Sequence, residues 1–466
     1  IFITFCALSK AKGMGINMNI VKNYKQYFTP DKLAEYMVSI IPEDTINVVV
    51  DLSMGECGLL EEVKKRWSNA ELYGADIDKE LIKKINKKSP YIKTFYGDSL
   101  SVKIENWKSY NEIVFNNGFD LTIANPPFNF HDQAKVSISE SQKVALPIEI
   151  RFLLKYIDIV KKGGYICIIL PYGFLSLNLY KKLRNQLLKI VTIIKVIKIF
   201  DGCFDKIDAD TCLLLMKKKK REEKNIQTEI LIEYLDSNYN LSKEQIIVVN
   251  EVDRWDLEYQ QLLSKTDAVV RNTAFERTVL ANYIKSCRRG KSITKNKELL
   301  VGKGIRFIHT KDVKKLYISN ENKQYVYNNK DFFRNAVLYE NDVLIGRVGQ
   351  GCIGKIGIVP KRYPKMFFSD CVFAIQTKNI DPYYLTLFLA SEFGQMQLKG
   401  IAKGSCSKYI TQEELFSIYI LTPSKKVQEY FGNKYKMLLS KPGIIDKERL
   451  FTSLVMELDE EIKKKE

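Results

Sequence analysis

The sequence predicts an α/β fold: a doubly wound sheet of seven strands, followed by a smaller α+β domain that ends in helices. Three observations carry that prediction. From Ile46 to Met216, short apolar runs alternate with stretches whose apolar residues recur at helical spacing, the pattern of a parallel sheet covered on both faces. Beyond Lys224 the composition changes, first to a polar helical stretch and then to a Gly- and β-rich one. The 466 residues allow two or three domains at roughly 150 residues each.

In chain order, residues 1–17 read as an upstream or disordered extension. The apolar start, Ile1 to Leu8, is far shorter than the roughly 20 residues of a membrane span, no cleavage-site pattern follows it, and Met14 or Met18 is the natural start. Neither a signal peptide nor a membrane anchor is expected. Residues 18–224 form the first domain. Its strands are expected at 47–51, 71–76, 92–96, 119–124, 165–170, 191–199 and 211–216, and its helices at 59–67, 79–88, 148–160 and 177–188, with Gly163-Gly164 as a helix stop. The run Lys217 to Lys224 closes this domain, either as a solvated boundary or as a phosphate-binding strip. A connecting helical region at 225–285, a second domain at 286–423 and an amphipathic helical segment at 424–466 follow. In the last, Leu450, Leu454, Val455, Leu458 and Ile462 recur at three- and four-residue steps, which serves a helix packed on its own domain or one that binds a partner.

The formal charge is +18, from 73 Lys and Arg against 55 Asp and Glu spread along the whole chain. It suits a polyanionic partner, or it reflects a composition rich in Ile, Lys and Asn. Nine cysteines without a Cys-x-x-Cys pair argue for a reducing compartment and against a disulfide framework or structural zinc. The only histidines, His131 and His309, are too few for most histidine-based acid-base schemes and make no local metal motif. No metal is expected.

In open α/β sheets, ligands bind beyond the carboxyl ends of the strands, so the residues just after each strand are informative. The first strand runs into Asp51-Leu-Ser-Met-Gly55-Glu-Cys57-Gly58, a turn that either lets a ligand approach the backbone or is simple loop geometry. The second ends at Gly74-Ala-Asp76-Ile-Asp78, where a carboxylate can accept hydrogen bonds from a ribose diol. The third is followed by Gly97-Asp98-Ser99, where a carboxylate can accept from an adenine amino group. Either aspartate could instead cap a helix.

The fourth strand ends in Asn125-Pro126-Pro127-Phe128. Two prolines stiffen the turn and remove two backbone donors. The side-chain carbonyl of Asn125 and the main-chain carbonyl of Pro126 can then converge on one amino group. An exocyclic amine on an aromatic ring is a poor nucleophile because its lone pair is delocalised. Two fixed acceptors favour its pyramidal, nucleophilic form, so attack on a sulfonium methyl needs positioning and electrostatics more than a strong base. Phe128 adds a flat apolar face suited to stacking on an extruded base.

This ordered set resembles the amino-methylating DNA methyltransferases of the gamma arrangement, above all the modification subunits of Type I restriction systems. The resemblance covers residues 24–217 and implies a Rossmann-like methyltransferase sheet that binds S-adenosyl-L-methionine and methylates adenine N6 in DNA after flipping the base. On that resemblance Gln26-Tyr27-Phe28-Thr29-Pro30 is similar to the N-terminal cofactor motif, Asp51 to Gly58 to the glycine loop, and Asp76, with Ile77 beside it, to the ribose ligand. Asp98 with Ser99 stands at the cofactor-adenine contact, Lys162-Gly163-Gly164 to Pro171 resembles the following helix-strand unit, and Asn125 serves both substrate and cofactor. Phe204 matches the aromatic that forms the second wall of the flipped-base pocket. The sequence departs from the family at Cys57, where a second glycine is usual, and at Glu56, which puts a charge beside the cofactor's carboxylate end.

The second domain resembles a single target-recognition domain of Type I specificity subunits, on Gly304-Ile-Arg-Phe-Ile308 with Lys311-Asp-Val, Asp342-Val-Leu-Ile-Gly346-Arg347, Gly354-Lys355-Ile-Gly-Ile-Val359 and the stretch from Ser405 to Leu421 leading into Pro423. Arg306, Arg347, Lys355, Lys403 and Lys408 are its candidate contacts to phosphates and base edges. The resemblance implies double-stranded DNA as the partner, a cytoplasmic place on the bacterial or archaeal nucleoid, and terminal helices that act as spacers or pair two chains in a homodimer. A separate nuclease or specificity subunit is a further partner it allows. Two alternatives stay open: a DNA-binding specificity subunit with little or no catalysis, and a methyltransferase for RNA or protein amide groups.

Overall fold

A computed structural model describes residues 28–43, 45–101, 107–129, 132–139, 142–204, 210–220, 229–248, 254–321, 323–349, 351–361, 363–404, 407–441 and 447–464. The expected extension at 1–17, Gln26, Tyr27, His131, residues 221–224 of the charged run and Ser405 lie outside the described residues. The chain divides into two compact units, Ile1–Leu257 and Glu258–Glu466.

In the first unit α1 (Asp31–Ser39) leads into β1 (Val48–Asp51), α2 (Gly58–Arg66), β2 (Glu71–Asp76), α3 (Lys79–Lys88), β3 (Ile92–Tyr96), α4 (Lys108–Asn116) and β4 (Phe119–Ala124). A hairpin of β5 (Gln133–Ser139) and β6 (Gln142–Pro147) precedes α5 (Ile148–Ile159) and β7 (Val160–Pro171). Then come α6 (Gly173–Ser176), α7 (Lys181–Ile190), β8 (Val191–Ile199), β9 (Thr211–Lys218), β10 (Glu229–Leu235) and β11 (Leu241–Val248). One sheet has the order β11-β10-β8-β9-β7-β4-β1-β2-β3. The pairs from β7 through β3 are parallel, and β9 runs antiparallel between β7 and β8.

The central strands are buried on both faces, which is why β4, β7 and β9 read as near-continuous apolar runs. Along β7, Ile166, Ile168 and Leu170 face Phe152, Leu153 and Tyr156 of α5. The alternate residues Tyr165, Cys167 and Ile169 join Leu33 and Met37 of α1 and Leu60 and Val63 of α2. The helix starts are chemical too: Asp78 caps α3 by accepting from Glu80 N at 3.0 Å and Leu81 N at 3.2 Å.

All seven strands expected from the sequence are present, and the sheet takes in two more. β10 and β11 come from the stretch 225–285 that the sequence reading makes a connecting helical region. Ile230, Ile232 and Leu235 of β10 are buried, and β10 covers the edge of β8, with Glu233 in an ion pair with Lys195 at 2.9 Å. An uncovered β8 would be an open sheet edge, so the chain re-enters the sheet after the charged run. Gly163-Gly164 is not the helix stop either. α5 ends at Ile159, Val160 is already extended, and a Cβ on Gly164 would come within 2.8 Å of the Asp120 carbonyl oxygen on β4. Glycine is needed there for the close approach of two strands.

In the second unit α8 (Leu257–Asn272), whose first residue closes the first unit, is followed by β12 (Glu276–Val279), β13 (Ile284–Arg289), β14 (Leu300–Val301), β15 (Ile305–Ile308) and β16 (Gln324–Val326). Next are β17 (Val343–Gly346), β18 (Ile356–Ile358), β19 (Met366–Phe368), β20 (Val372–Thr377), α9 (Pro382–Ala390), α10 (Glu392–Ile401) and α11 (Gln412–Ser417). β21 (Tyr419–Thr422), α12 (Lys425–Ser440) and α13 (Lys447–Lys463) end the unit. Two four-stranded sheets, β13-β20-β17-β18 and β14-β16-β15-β19, form its frame. The two terminal helices pack on this frame through Phe431, Tyr435, Phe451, Leu454 and Leu458. No helix among the described residues is long and apolar enough to cross a membrane.

Candidate active site

The chain runs from β1 outward to β2 and β3 and returns as β4 on the other side of β1. That reversal opens a crevice at the carboxyl ends of β1 and β4, the place where such sheets bind ligands. Asp51, Asp76, Asp98 and Asn125 all stand on this rim, at or just past the ends of four neighbouring strands.

The glycine turn after β1 is held from below. Met54 N donates to Ala75 O at 3.0 Å and Cys57 N to Met54 O at 2.8 Å. Gly55 has φ +52°, and a Cβ there would touch the ring of Phe28 at 3.4 Å. Phe28, 49% exposed, therefore lies over the turn. Cys57, the departure from the family pattern, adopts φ +61° at the start of α2, a conformation in which glycine is at ease and a larger residue is strained. Its side chain turns into the core, with Sγ donating to Glu61 Oε1 at 3.6 Å. Burial and the Glu61 charge push the thiol up to about 11, so it stays protonated. Glu56 turns outward to Lys84 at 3.1 Å. Neither departure projects into the turn.

Asp51 is 1% exposed. Its Oδ1 accepts from Ser53 N at 2.9 Å and from the Tyr156 hydroxyl at 3.1 Å. Burial, opposed by these donors and aided by the Asp76 charge, pushes its carboxyl up to about 7. Asp76 accepts from Asp78 N at 2.9 Å through Oδ1 and from Gly55 N at 3.1 Å through Oδ2. Burial raises its pKa as well. The helix-cap role left open for Asp76 belongs instead to Asp78, which leaves Asp76 as the acid tied to the glycine turn. Ile77 is half-buried beside it. Asp98 is exposed and accepts from Leu100 N at 3.0 Å, while Ser99 is buried.

Asn125 is half-buried, and its Nδ2 donates to Thr29 Oγ1 at 3.2 Å. The amide is thereby anchored: its donor end is engaged by the segment that precedes Pro30 and α1. Phe128 packs half-buried against the cluster that contains Phe204, which is only 6% exposed. The two aromatics share one cluster, with Phe204 the deeper.

Three residues absent from the sequence reading hold this rim from α5. Glu149, 3% exposed, accepts from Asn129 N at 3.3 Å, directly after Phe128. Burial raises its pKa. Arg151 pairs with Asp132 at 2.6 Å. Tyr156 holds Asp51 as described. The available signal for Glu149 and Tyr156 was their spacing of seven positions, two turns, on one face of a helix buried over most of its length; Arg151 carried none.

In the second unit the expected DNA contacts divide. Arg306 is 7% exposed and donates to Asn320 Oδ1 at 2.8 Å and to the Ser319 carbonyl. Lys403, 3% exposed, pairs with Glu414 at 2.6 Å. Both are engaged inside the unit. Arg347 is half-buried, donates to Asp370 O at 3.0 Å and lies 5.1 Å over the Phe373 ring. Lys355 and Lys408 keep partial exposure.

A family model described as N-6 DNA Methylase matches residues 17–297, and one described as Type I restriction modification DNA specificity domain matches residues 280–433. Among curated proteins, "Defense against restriction protein B" of Escherichia phage P1 is 24% identical over 178 residues, 34% of this chain and 8% of that protein. The structure of the type IIG restriction endonuclease BpuSI aligns at 12% identity and TM-score 0.41, over 93% of this chain and 64% of that one. A modification subunit of a putative type I restriction enzyme from Vibrio vulnificus aligns at 14% identity and TM-score 0.37, over 47% and 48% of the two chains. This chain thus spans less than two thirds of the length of each of these three relatives.

Proposed function

Because this chain belongs to the N-6 DNA methylase family and carries a Type I specificity segment behind the methylase segment, we propose that it transfers a methyl group from S-adenosyl-L-methionine to adenine N6 in double-stranded DNA, at a site selected by its second unit. The observation that carries this reading is the Asn125 amide, anchored by Thr29 at the crevice between β1 and β4.

The rim suits such a cofactor. A glycine-bearing turn lies under an exposed aromatic, and a buried carboxylate, Asp51, forms no ion pair among the described residues. Asp51 suits the α-ammonium, Asp76 a ribose hydroxyl, Asp98 and Ser99 the adenine edge, and Phe28, Thr29, Pro30, Gly55 and Ile77 the surfaces between. The cofactor supplies an electrophilic methyl.

The chain supplies the rest. The Asn125 carbonyl and the Pro126 carbonyl accept the two N6 hydrogens and favour the pyramidal amine, with the proton leaving to solvent. Pro127 stiffens the turn. Phe128 stacks on the flipped base and Phe204 backs that wall. Of the five candidate cations of the second unit, Arg347, Lys355 and Lys408 keep partial exposure and are assigned to the DNA backbone.

Transfer of radiolabelled methyl to duplex DNA, RNA and protein in parallel tests the reading. Label is expected in duplex DNA alone, as N6-methyladenine. Label confined to RNA or protein, or sequence-selective DNA binding without label, would replace it with the corresponding alternative.

A further inference from the structure

Asp51 is a buried acid in an unusual position. It is 1% exposed at the end of β1, and among the described residues no cation is paired with it. The groups that face it are Ser53 on its own turn, Asp76 on β2 and Tyr156 on α5. An isolated buried carboxylate is costly unless donors or a counter-cation compensate it.

The compensation present comes from α5. The Tyr156 hydroxyl accepts from Leu52 N at 2.8 Å and donates to Asp51 Oδ1 at 3.1 Å. Ser53 N donates to the same oxygen at 2.9 Å and Ser53 Oγ at 3.3 Å, and the Ser53 and Tyr156 hydroxyls lie 3.4 Å apart. Tyr156 therefore grips both the backbone and the side chain of the strand end. Its ring is fully buried among the residues under β1 and β7, and burial together with Asp51 raises its own pKa well above the usual value, so it stays a donor.

We propose that Tyr156 is a positioning residue for the cofactor: it fixes the Asp51 carboxylate as the counter-ion of the α-ammonium, so that the cofactor binds in exchange for a proton. This rests on the cofactor reading above. An ammonium can pair with Asp51 only when the acid is ionised. The affinity must then fall as the pH drops through the titration of Asp51, and binding near neutrality must release a proton. Removing the hydroxyl leaves the anion with one donor fewer, which disfavours ionisation and moves that titration upward.

Calorimetric titration of the full chain with S-adenosylhomocysteine, between pH 6 and 8 and in buffers of different ionisation heat, tests this without any turnover. Wild type is expected to bind more tightly as the pH rises and to release a proton. Y156F is expected to bind about tenfold more weakly at pH 7.5, with its midpoint at higher pH. Y156F with wild-type affinity and midpoint overturns the proposal. No binding by wild type at any pH overturns the cofactor reading beneath it instead. Should circular dichroism show that Y156F does not fold, 3-fluorotyrosine placed at position 156, near-isosteric and a stronger donor, is expected to lower the midpoint, and an unchanged midpoint overturns the proposal.

Discussion

The carboxyl rim of the first sheet was read from strand ends and the cations of the second unit from residue type, and the structure treats them differently. On the rim, Asp51, Asp76, Asp98 and Asn125 come together because each ends a strand of one sheet, and strand ends at a switch point are neighbours whatever the loops do. In the second unit, Arg306 and Lys403 were chosen for their charge, and both lie inside, engaged by Ser319, Asn320 and Glu414. Place in the topology gathered the candidate residues at one rim. Charge alone did not, because a long cation inside a β-rich unit also satisfies carbonyls and carboxylates.

Four experiments bear on that contrast. The largest effect is expected from Lys403→Ala, which removes the cation paired with Glu414 Oε1 and leaves a buried void, while Thr411 still donates to Oε2. Breaking a buried pair of this kind costs about 3 kcal/mol, so chemical denaturation should show a marked loss of stability. A Lys403→Ala variant that keeps its stability but loses DNA affinity would return this lysine to the interface. Next is Glu149→Leu, which removes the acceptor of Asn129 N directly after the turn at Asn125 to Phe128. A hydrogen bond lost at a half-buried donor is worth about 1 kcal/mol, so kcat is expected to fall severalfold with cofactor affinity unchanged, and Glu149→Gln is expected to restore most of it. Equal losses in kcat and in cofactor binding would mean a general defect.

The third concerns pH. Asp51 is pushed up to about 7 in the folded chain, against about 4 in an unfolded one. The folded state holds the proton more tightly, so the stability this group contributes is full below pH 4 and is lost as the pH rises through 7. Asp51→Asn has no such proton to lose. The Tm of wild type is therefore expected to fall relative to Asp51→Asn between pH 5 and 8, and a constant difference would contradict the burial argument. The smallest effect is expected from Cys57→Gly. Relief of the left-handed strain and loss of a buried side chain oppose each other and leave a change within about 1 kcal/mol, with S-adenosylhomocysteine affinity unaltered. A large gain in affinity would show that Cys57 does obstruct the turn.

Much of the first unit was legible from its periodicity. The strands at 71–76, 92–96, 119–124 and 191–199 and the helix at 79–88 fall on the expected residues, because short apolar stretches there alternate with helical spacing and the central strands are buried on both faces. β10 and β11 were missed because Glu229-Ile-Leu-Ile-Glu-Tyr-Leu235 alternates over a short window behind a charged run that resembles a domain boundary. The acids and the asparagine of the rim were legible as strand ends. Their supports were not: Glu149, Arg151 and Tyr156 lie on a helix, far along the chain from some of the groups they hold, and only the packing of α5 against the sheet brings them there.

The central claim, that the turn at Asn125 methylates adenine in DNA, is tested most directly by mass spectrometry of nucleosides from DNA of cells that lack other adenine methylases and express either wild type or Asn125→Ala. N6-methyladenine is expected with wild type and none with Asn125→Ala at equal soluble protein. The mark persisting in Asn125→Ala, or absent with folded, cofactor-binding wild type, would contradict the account.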